Sequence, residues 1–201
     1  MGHNLDKKNI SRGSTLFDIE KLEAVKNIIA KVKMVKKTKW LLKNNQRVHV
    51  NIGTSHTIGT VKGLSKAIES NESSNVFIIL QKPIIALNGQ KFIIRSLSPS
   101  ETIAGGEILH QQSEDYGKKE LSFLLKNLTC ETKERLLSLV SFSWKDIKKI
   151  SHYSKILNIS NEKVLDLAKK VGINIFKDFL YLKSNLIKCS KIIEEVILRY
   201  H

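Results

Sequence analysis

The chain has 201 residues, 41% of them hydrophobic, and a formal net charge of +15 at pH 7. That apolar content, mixed with both signs of charge, describes a folded chain with one large or two small cores and excludes a wholly disordered one. No apolar run approaches the roughly 20 residues of a membrane span and the N-terminus carries no hydrophobic signal core, so a cytoplasmic location is expected.

Short apolar runs separated by turn residues come first. They predict strands over residues 25–35, 47–52, 58–64, 76–80, 91–96 and 107–109. Val48, Val50 and Ile52 alternate with His49 and Asn51, as a half-buried strand requires. Gly53-Thr54 and Asn88-Gly89 mark turns, because Gly and Asn tolerate the positive φ of tight connections. Ser98-Pro99 marks another, since the Pro ring drives Ser98 to extended geometry. Alternation in 91–96 sends Phe92 and Ile94 inward and Ile93 and Arg95 outward. Gly59, Gly105 and Gly106 read as bulge or corner glycines. Strands at this spacing imply a barrel or sandwich.

After about residue 113 the period becomes helical. Leu121, Leu124, Leu125 and Leu128 form one stripe, and Val164, Leu167, Ala168 and Val171 another. Ser143 and Ser160 read as helix N-caps and Gly172 as the residue that ends the second helix. Residues 173–182 read as strand, Lys177-Asp178 turn, strand. Cys189, Ile192, Ile193, Val196, Ile197 and Tyr200 line a last helix. Helices, a hairpin and a helix, in that order, suggest a winged helix.

Lys and Arg outnumber Asp and Glu by 11 to 4 over residues 1–45, 6 to 4 over 46–110 and 17 to 11 beyond. Such an excess attracts phosphate and supports sequence-independent nucleic-acid binding; simple lysine enrichment is the alternative. No aromatic stacking set is visible to accompany the lysines. On the Ser160 helix Lys163, Asp166 and Lys170 share the face opposite the apolar stripe, with Lys169 beside them. An acidic residue within that face favours a solvated surface over a groove-reading one. Cys130 and Cys189 read as small buried apolar residues on helices, in a reducing compartment.

Catalytic chemistry is not legible. A triphosphate-cradling loop needs Gly-x4-Gly-Lys-Ser/Thr between a strand and a helix, and neither the Gly53 to Gly59 stretch nor Gly105-Gly106 supplies it. The six histidines lack metal-ligand spacing, and no Cys-x2-Cys accompanies them.

One stretch is more specific than the rest. Residues 83–109, PIIALNGQKFIIRSLSPSETIAGGEIL, set a Gly turn, an apolar strand with one arginine, a Ser-Pro break and a Gly pair in an order that resembles the third domain of the selenocysteine-specific translation elongation factor, SelB. Pro83, Gly89, Phe92, Arg95, Ser98, Pro99, Thr102, Gly105 and Gly106 carry the likeness. Gly53, Thr54 and Gly59 extend it through residues 47–61, RVHVNIGTSHTIGTV, which is similar to a strand pair of that family. Residues 9–16 resemble the close of the family's second domain, and 198–201 the hand-over from its first winged helix to the next. Gln90 and Lys91, where Asp-Arg is usual, and Ala104, for the first of three glycines, depart from the pattern.

The resemblance implies an α+β architecture: a remnant of the second β-barrel domain at 1–16, an elongation-factor-type β-barrel over 17–112 and a winged-helix domain over 113–201. It implies delivery of selenocysteinyl-tRNA to the ribosome at UGA codons, with the selenocysteine mRNA hairpin read by later winged helices. GTP and magnesium would belong to a GTPase domain missing from this chain, so no cofactor, metal or catalytic residue is expected here. Because the outer face of the third barrel meets the GTPase domain in such factors, Arg95 is expected at an interface or in support of the fold. Candidate RNA contacts are Arg47, His49, His56, Lys163, Lys169 and Lys170. Two other readings stay open, a free-standing basic winged-helix regulator and an inactive remnant or scaffold.

Overall fold

The computed structural model describes residues 23–112 and 116–200. The stretches read at 1–16 and the terminal His201 lie outside them. The chain divides into two compact units, Met1–Asp115 and Tyr116–His201.

The first unit is a closed barrel of six antiparallel strands: β1 (Val25–Met34), β2 (Arg47–Ile52), β3 (Ser55–Lys62), β4 (Ser73–Ile84), β5 (Lys91–Arg95) and β6 (Thr102–Gln112). Around the barrel the order is β1-β4-β3-β2-β5-β6, with β6 returning to β1. Closure removes every free sheet edge, which an open sheet of these apolar strands would have to protect by other means. Alternate residues fill the interior, among them Ile28, Ala30, Val32, Val48, Val50, Val61, Ile78, Leu80, Phe92, Ile94 and Ile108. Leu42 and Ile68 exchange backbone hydrogen bonds of 3.1 and 2.9 Å, and both side chains join the core with Trp40 packed against it.

Strand alternation in β2 and β5 follows the sequence pattern, with Val48, Val50, Ile52, Phe92 and Ile94 inward. Three strands are longer than their apolar runs suggest. β3 begins at Ser55, β4 runs on through Pro83 to Ile84, and β6 begins at Thr102. Small and polar residues at these ends are carried by pairing with neighbouring strands rather than by their own propensity.

The glycine reading needs correction. Gly53 (φ +55°) and Gly89 (φ +80°) do sit in turns. Gly105 and Gly106 instead lie inside β6, in regular register with Ile93 and Phe92, and neither has positive φ. The ladder slips by one residue on either side of them, at Ile103 against β5 and at Leu109 against β1. Gly59 is likewise inside β3, paired with Val48 and Leu80. It is required for space: a Cβ there would lie 2.7 Å from Ile78 Cγ2 and 2.8 Å from Val50 Cγ2.

The second unit comprises α1 (Lys118–Asn127), α2 (Thr132–Phe142), a 3-10 turn (Ser143–Lys145), α3 (Ile150–Leu157), α4 (Asn161–Lys170), the hairpin β7 (Asn174–Phe176) and β8 (Phe179–Tyr181), and α5 (Lys183–Tyr200). Its core gathers Leu124, Leu136, Leu139, Val140, Tyr153, Val164, Ala168 and Leu180. Ser160 caps α4, its hydroxyl accepting from the Lys163 amide at 3.3 Å. At the other end Gly172 (φ +70°) donates to Lys169 O and Ile173 to Ala168 O, a Schellman closure.

Ser143 is not an N-cap. Its hydroxyl donates to Leu139 O at 3.0 Å, so it closes α2, and α3 begins only at Ile150. Cys130 is exposed in the α1–α2 connection rather than buried on a helix, whereas Cys189, on α5, is half-buried. There Cys130 offers its carbonyl, with that of Thr129, to the buried Arg135 guanidinium, at 2.8 and 2.9 Å.

Candidate functional surfaces

The outward positions of the barrel hold the first group of candidates. In β2 the inward run of Val48, Val50 and Ile52 turns Arg47, His49 and Asn51 outward. Register then sets His49 between Ile58 of β3 and Arg95 of β5, and Asn51 between His56 and Ile93. Arg47, His49, Arg95 and His56 therefore share one face of the β3-β2-β5 sheet. The Arg95 guanidinium donates through Nη2 to Ser100 O at 2.8 Å, which ties it to the loop carrying Ser98 and Pro99. Ser96 anchors that loop from inside, its buried hydroxyl accepting from the Glu101 amide at 3.0 Å and donating to Pro99 O. Ile93, 48% exposed, lies next to these polar residues. Cations, imidazoles and the apolar side chains of Ile58 and Ile93 on the outside of the barrel suit a macromolecular contact better than a small-molecule site.

The remaining motif residues hold that sheet in shape. Thr54 completes the β2–β3 turn, exposed Pro83 is the last outward residue of β4, and Thr102 pairs with Arg95 where β6 begins. Phe92 faces inward beneath Gly106. Lys91 pairs with Glu107 across β5 and β6.

Lys163, Lys169 and Lys170 belong to the second unit, all exposed on α4. Lys170 Nζ meets Asp166 Oδ2 at 2.7 Å, so one cation of that face is already paired within the helix. Glu162 lies at the start of the same helix, and a hydrogen bond with the Ser160 side chain holds its carboxyl below the usual range.

A second surface was not anticipated. Register in the β7–β8 hairpin sets Phe176 opposite Phe179 and Asn174 opposite Tyr181. The three aromatics line one groove with Ile147 and Leu186, about 450 Å³ in volume. Two lysines flank it, Lys149 Nζ 5.6 Å from the Phe179 ring centroid and Lys177 Nζ 5.6 Å from that of Phe176. The expectation that no aromatic set accompanies the lysines is thus corrected. Alternation across the Lys177-Asp178 turn was the available signal, since it puts Phe176, Phe179 and Tyr181 on one face.

Among the described residues no three His, Cys, Asp or Glu side chains converge to hold a metal, and no helix is long and apolar enough to cross a membrane.

Comparisons with known proteins bear on the barrel most directly. A family model for the selenocysteine-specific elongation factor, beta-barrel domain, matches residues 29–115. Among solved structures, the crystal structure of a bacterial selenocysteine-specific elongation factor, EF-Sec, aligns with a TM-score of 0.66 at 20% identity. The alignment covers 96% of this chain and 30% of that one, and at such identity it shows the fold alone. A search of curated proteins gave no match. The family model thus spans nearly all of the closed barrel, from Ile29 in β1 to the end of β6, and this barrel is a SelB-type beta-barrel domain.

Proposed function

We propose that the chain works as part of a selenocysteine-specific elongation factor, which brings selenocysteinyl-tRNA to the ribosome at UGA codons. The family match over the barrel carries this reading. In it the barrel face with Arg47, His49, His56 and Arg95 meets either the tRNA or a GTPase domain. The second unit serves as a winged-helix spacer toward the selenocysteine mRNA hairpin. GTP and magnesium are held by the GTPase domain, not by this chain, which has no enzymatic role of its own and acts in the cytoplasm. The Lys170–Asp166 pair on α4 speaks against the alternative of a free-standing DNA regulator, because a recognition helix presents its cations to the groove.

Reconstitution tests the reading. The GTPase and second-barrel portion of a bacterial selenocysteine elongation factor would be supplied as a separate polypeptide and its association with this chain measured by co-purification and titration. Binding that weakens at least tenfold on His49→Glu/Arg95→Glu is expected. If neither that portion nor tRNA binds the intact chain, the reading is wrong.

A further inference from the structure

We infer that the hairpin groove of the second unit binds a single-stranded nucleic-acid segment by stacking its bases on Phe176, Phe179 and Tyr181. The groove belongs to the second unit alone, so this inference does not depend on what the barrel face contacts.

Three observations converge. First, the rings are presented rather than packed away. Phe176 is 64% exposed at the hairpin end, and its neighbour across the ladder is Phe179. Cβ atoms directly opposite on paired strands stand about 5 Å apart, so both side chains rise from the same face of the hairpin. Burying Phe176 in a core would have been the ordinary use of such a residue, and leaving it in water forfeits that stabilisation.

Second, the charge around the rings is predominantly positive. The elements that build the groove carry eight Lys or Arg, Lys149 and Lys177 among them, against Asp146, Asp178, Glu194 and Glu195. Lys148 is paired with Asp146, which leaves the cations in clear excess. Lys149 and Lys177 lie over ring faces, so cation and π surface adjoin within one contact distance of each other. Single-strand binders combine these same elements, a basic track for phosphates and aromatic faces for bases.

Third, the lining suits unpaired bases better than a duplex. The groove is apolar, with Ile147 and Leu186 beside the rings. A paired helix hides its base faces and presents only phosphate and groove edges, whereas an unpaired strand can turn its bases into the cleft. A protein segment docking here would gain from the apolar floor but would need acidic residues to meet the lysines, and it is the competing outcome of the test.

The experiment uses fluorescence anisotropy of the full chain with labelled 12-nucleotide oligouridylate, oligodeoxythymidylate and an RNA duplex of equal length, at 50 and 200 mM salt. At 200 mM the single strands are expected to bind at least tenfold tighter than the duplex; tighter binding of the RNA strand identifies RNA as the ligand, and equal binding identifies either strand. Phe176→Ala should weaken single-strand binding by about 5- to 100-fold at both salt concentrations, since stacking is not screened. Phe176→Trp should restore it, and Lys177→Glu should weaken it mainly at 50 mM. Because Phe176 is exposed, circular dichroism and α4–hairpin stability should be unchanged in Phe176→Ala. Equal affinity of wild type and Phe176→Ala for the single strands overturns the inference, as does equal affinity for strand and duplex. Self-association by sedimentation that disappears in Phe176→Ala, without a change in strand binding, would assign the groove to a protein contact instead.

Discussion

The ring of Phe92 occupies the place where a side chain on Gly106 would have to go. A Cβ at Gly106 would lie 2.5 Å from Phe92 Cζ and 2.9 Å from Lys31 O, contacts that real Cβ atoms do not make. The glycine is therefore demanded by a neighbour across the ladder and by the backbone of β1, with no contribution from φ. Gly106→Ala should destabilise the barrel by about 1–3 kcal/mol. Phe92→Leu creates room as well as losing contacts, so the double variant should lose less than the two single losses combined. Urea unfolding followed through Trp40, in a Trp144→Phe background, reports the barrel. Strict additivity would show that ring and glycine do not compete for space.

A second prediction concerns Arg135. Its guanidinium satisfies the carbonyls of Thr129 and Cys130 in the bend between α1 and α2, and it is only 3% exposed. Arg135→Met should cost the second unit about 2–4 kcal/mol, because two carbonyls lose a charged donor. Lysine cannot reproduce the planar fork, so Arg135→Lys should recover only part of the loss. Trp144 fluorescence, in a Trp40→Phe background, reads this unit. An unchanged urea midpoint for both variants would refute the role.

Tyr153 should make the second unit sensitive to alkali. Burial pushes its phenol from 10.0 up to about 12, with the Ser143 side chain acting in the opposite direction and Asp146 adding to the rise. Folding thus favours the protonated ring. Its contribution is fully present below pH 10 and is lost as pH rises through the folded value near 12, on the order of 2 kcal/mol in all. Tyr153→Phe should flatten the stability profile between pH 10 and 12. A profile with the same slope in both proteins would contradict this.

Transfer RNA should bind weakly and with strong salt dependence. With about 3–5 phosphates neutralised, affinity should fall roughly 20- to 500-fold between 50 and 200 mM salt. Filter binding with bulk tRNA and a selenocysteine-type tRNA should show little preference, since the charge excess is spread along the chain and reads no particular sequence. Changing Lys163, Lys169 and Lys170 together to Glu should remove only a minor part of the binding. Loss of tight, salt-resistant binding to a defined DNA site in that variant would instead support the regulator reading.

Isothermal titration with magnesium-GTP should give no saturable heat, because neither the Gly53 to Gly59 hairpin nor the Gly105-Gly106 strand opens a helix onto a phosphate. A saturable isotherm would refute the assignment of nucleotide binding to another domain.

Local signals account for what was legible. Val48, Val50 and Ile52 declare β2 because their alternation is intrinsic to the run, and Ser160 and Gly172 declare the ends of α4 because capping is local chemistry. The start of β6 was hidden because Ala104, Gly105 and Gly106 have little strand propensity of their own and are fixed by Ile94, Ile93 and Phe92 across the ladder. α2 was missed for a related reason. Its buried face adds to Arg135 only Leu136, Leu139 and Val140, so the apolar stripe is short and stops at Ser143. The outward face of β2 and β5 could be listed residue by residue from alternation, but that His49 stands beside Arg95 depends on a strand order no local pattern encodes.

That strand order also dictates when the barrel can exist. β1 is the first of the six barrel strands to be made, yet both of its neighbours, β4 and β6, come later, and Asn27 finds its last partner at Gln112. On a growing chain the hairpin of β2 and β3 can zip as soon as it emerges, while β1 waits with two unclaimed edges until the final strand arrives. Long-range pairing of this kind is slow and leaves apolar strands open to association with other chains. A chain halted before Thr102 would lack the strand that seals both β1 and β5, and should appear as aggregate rather than as a smaller soluble barrel.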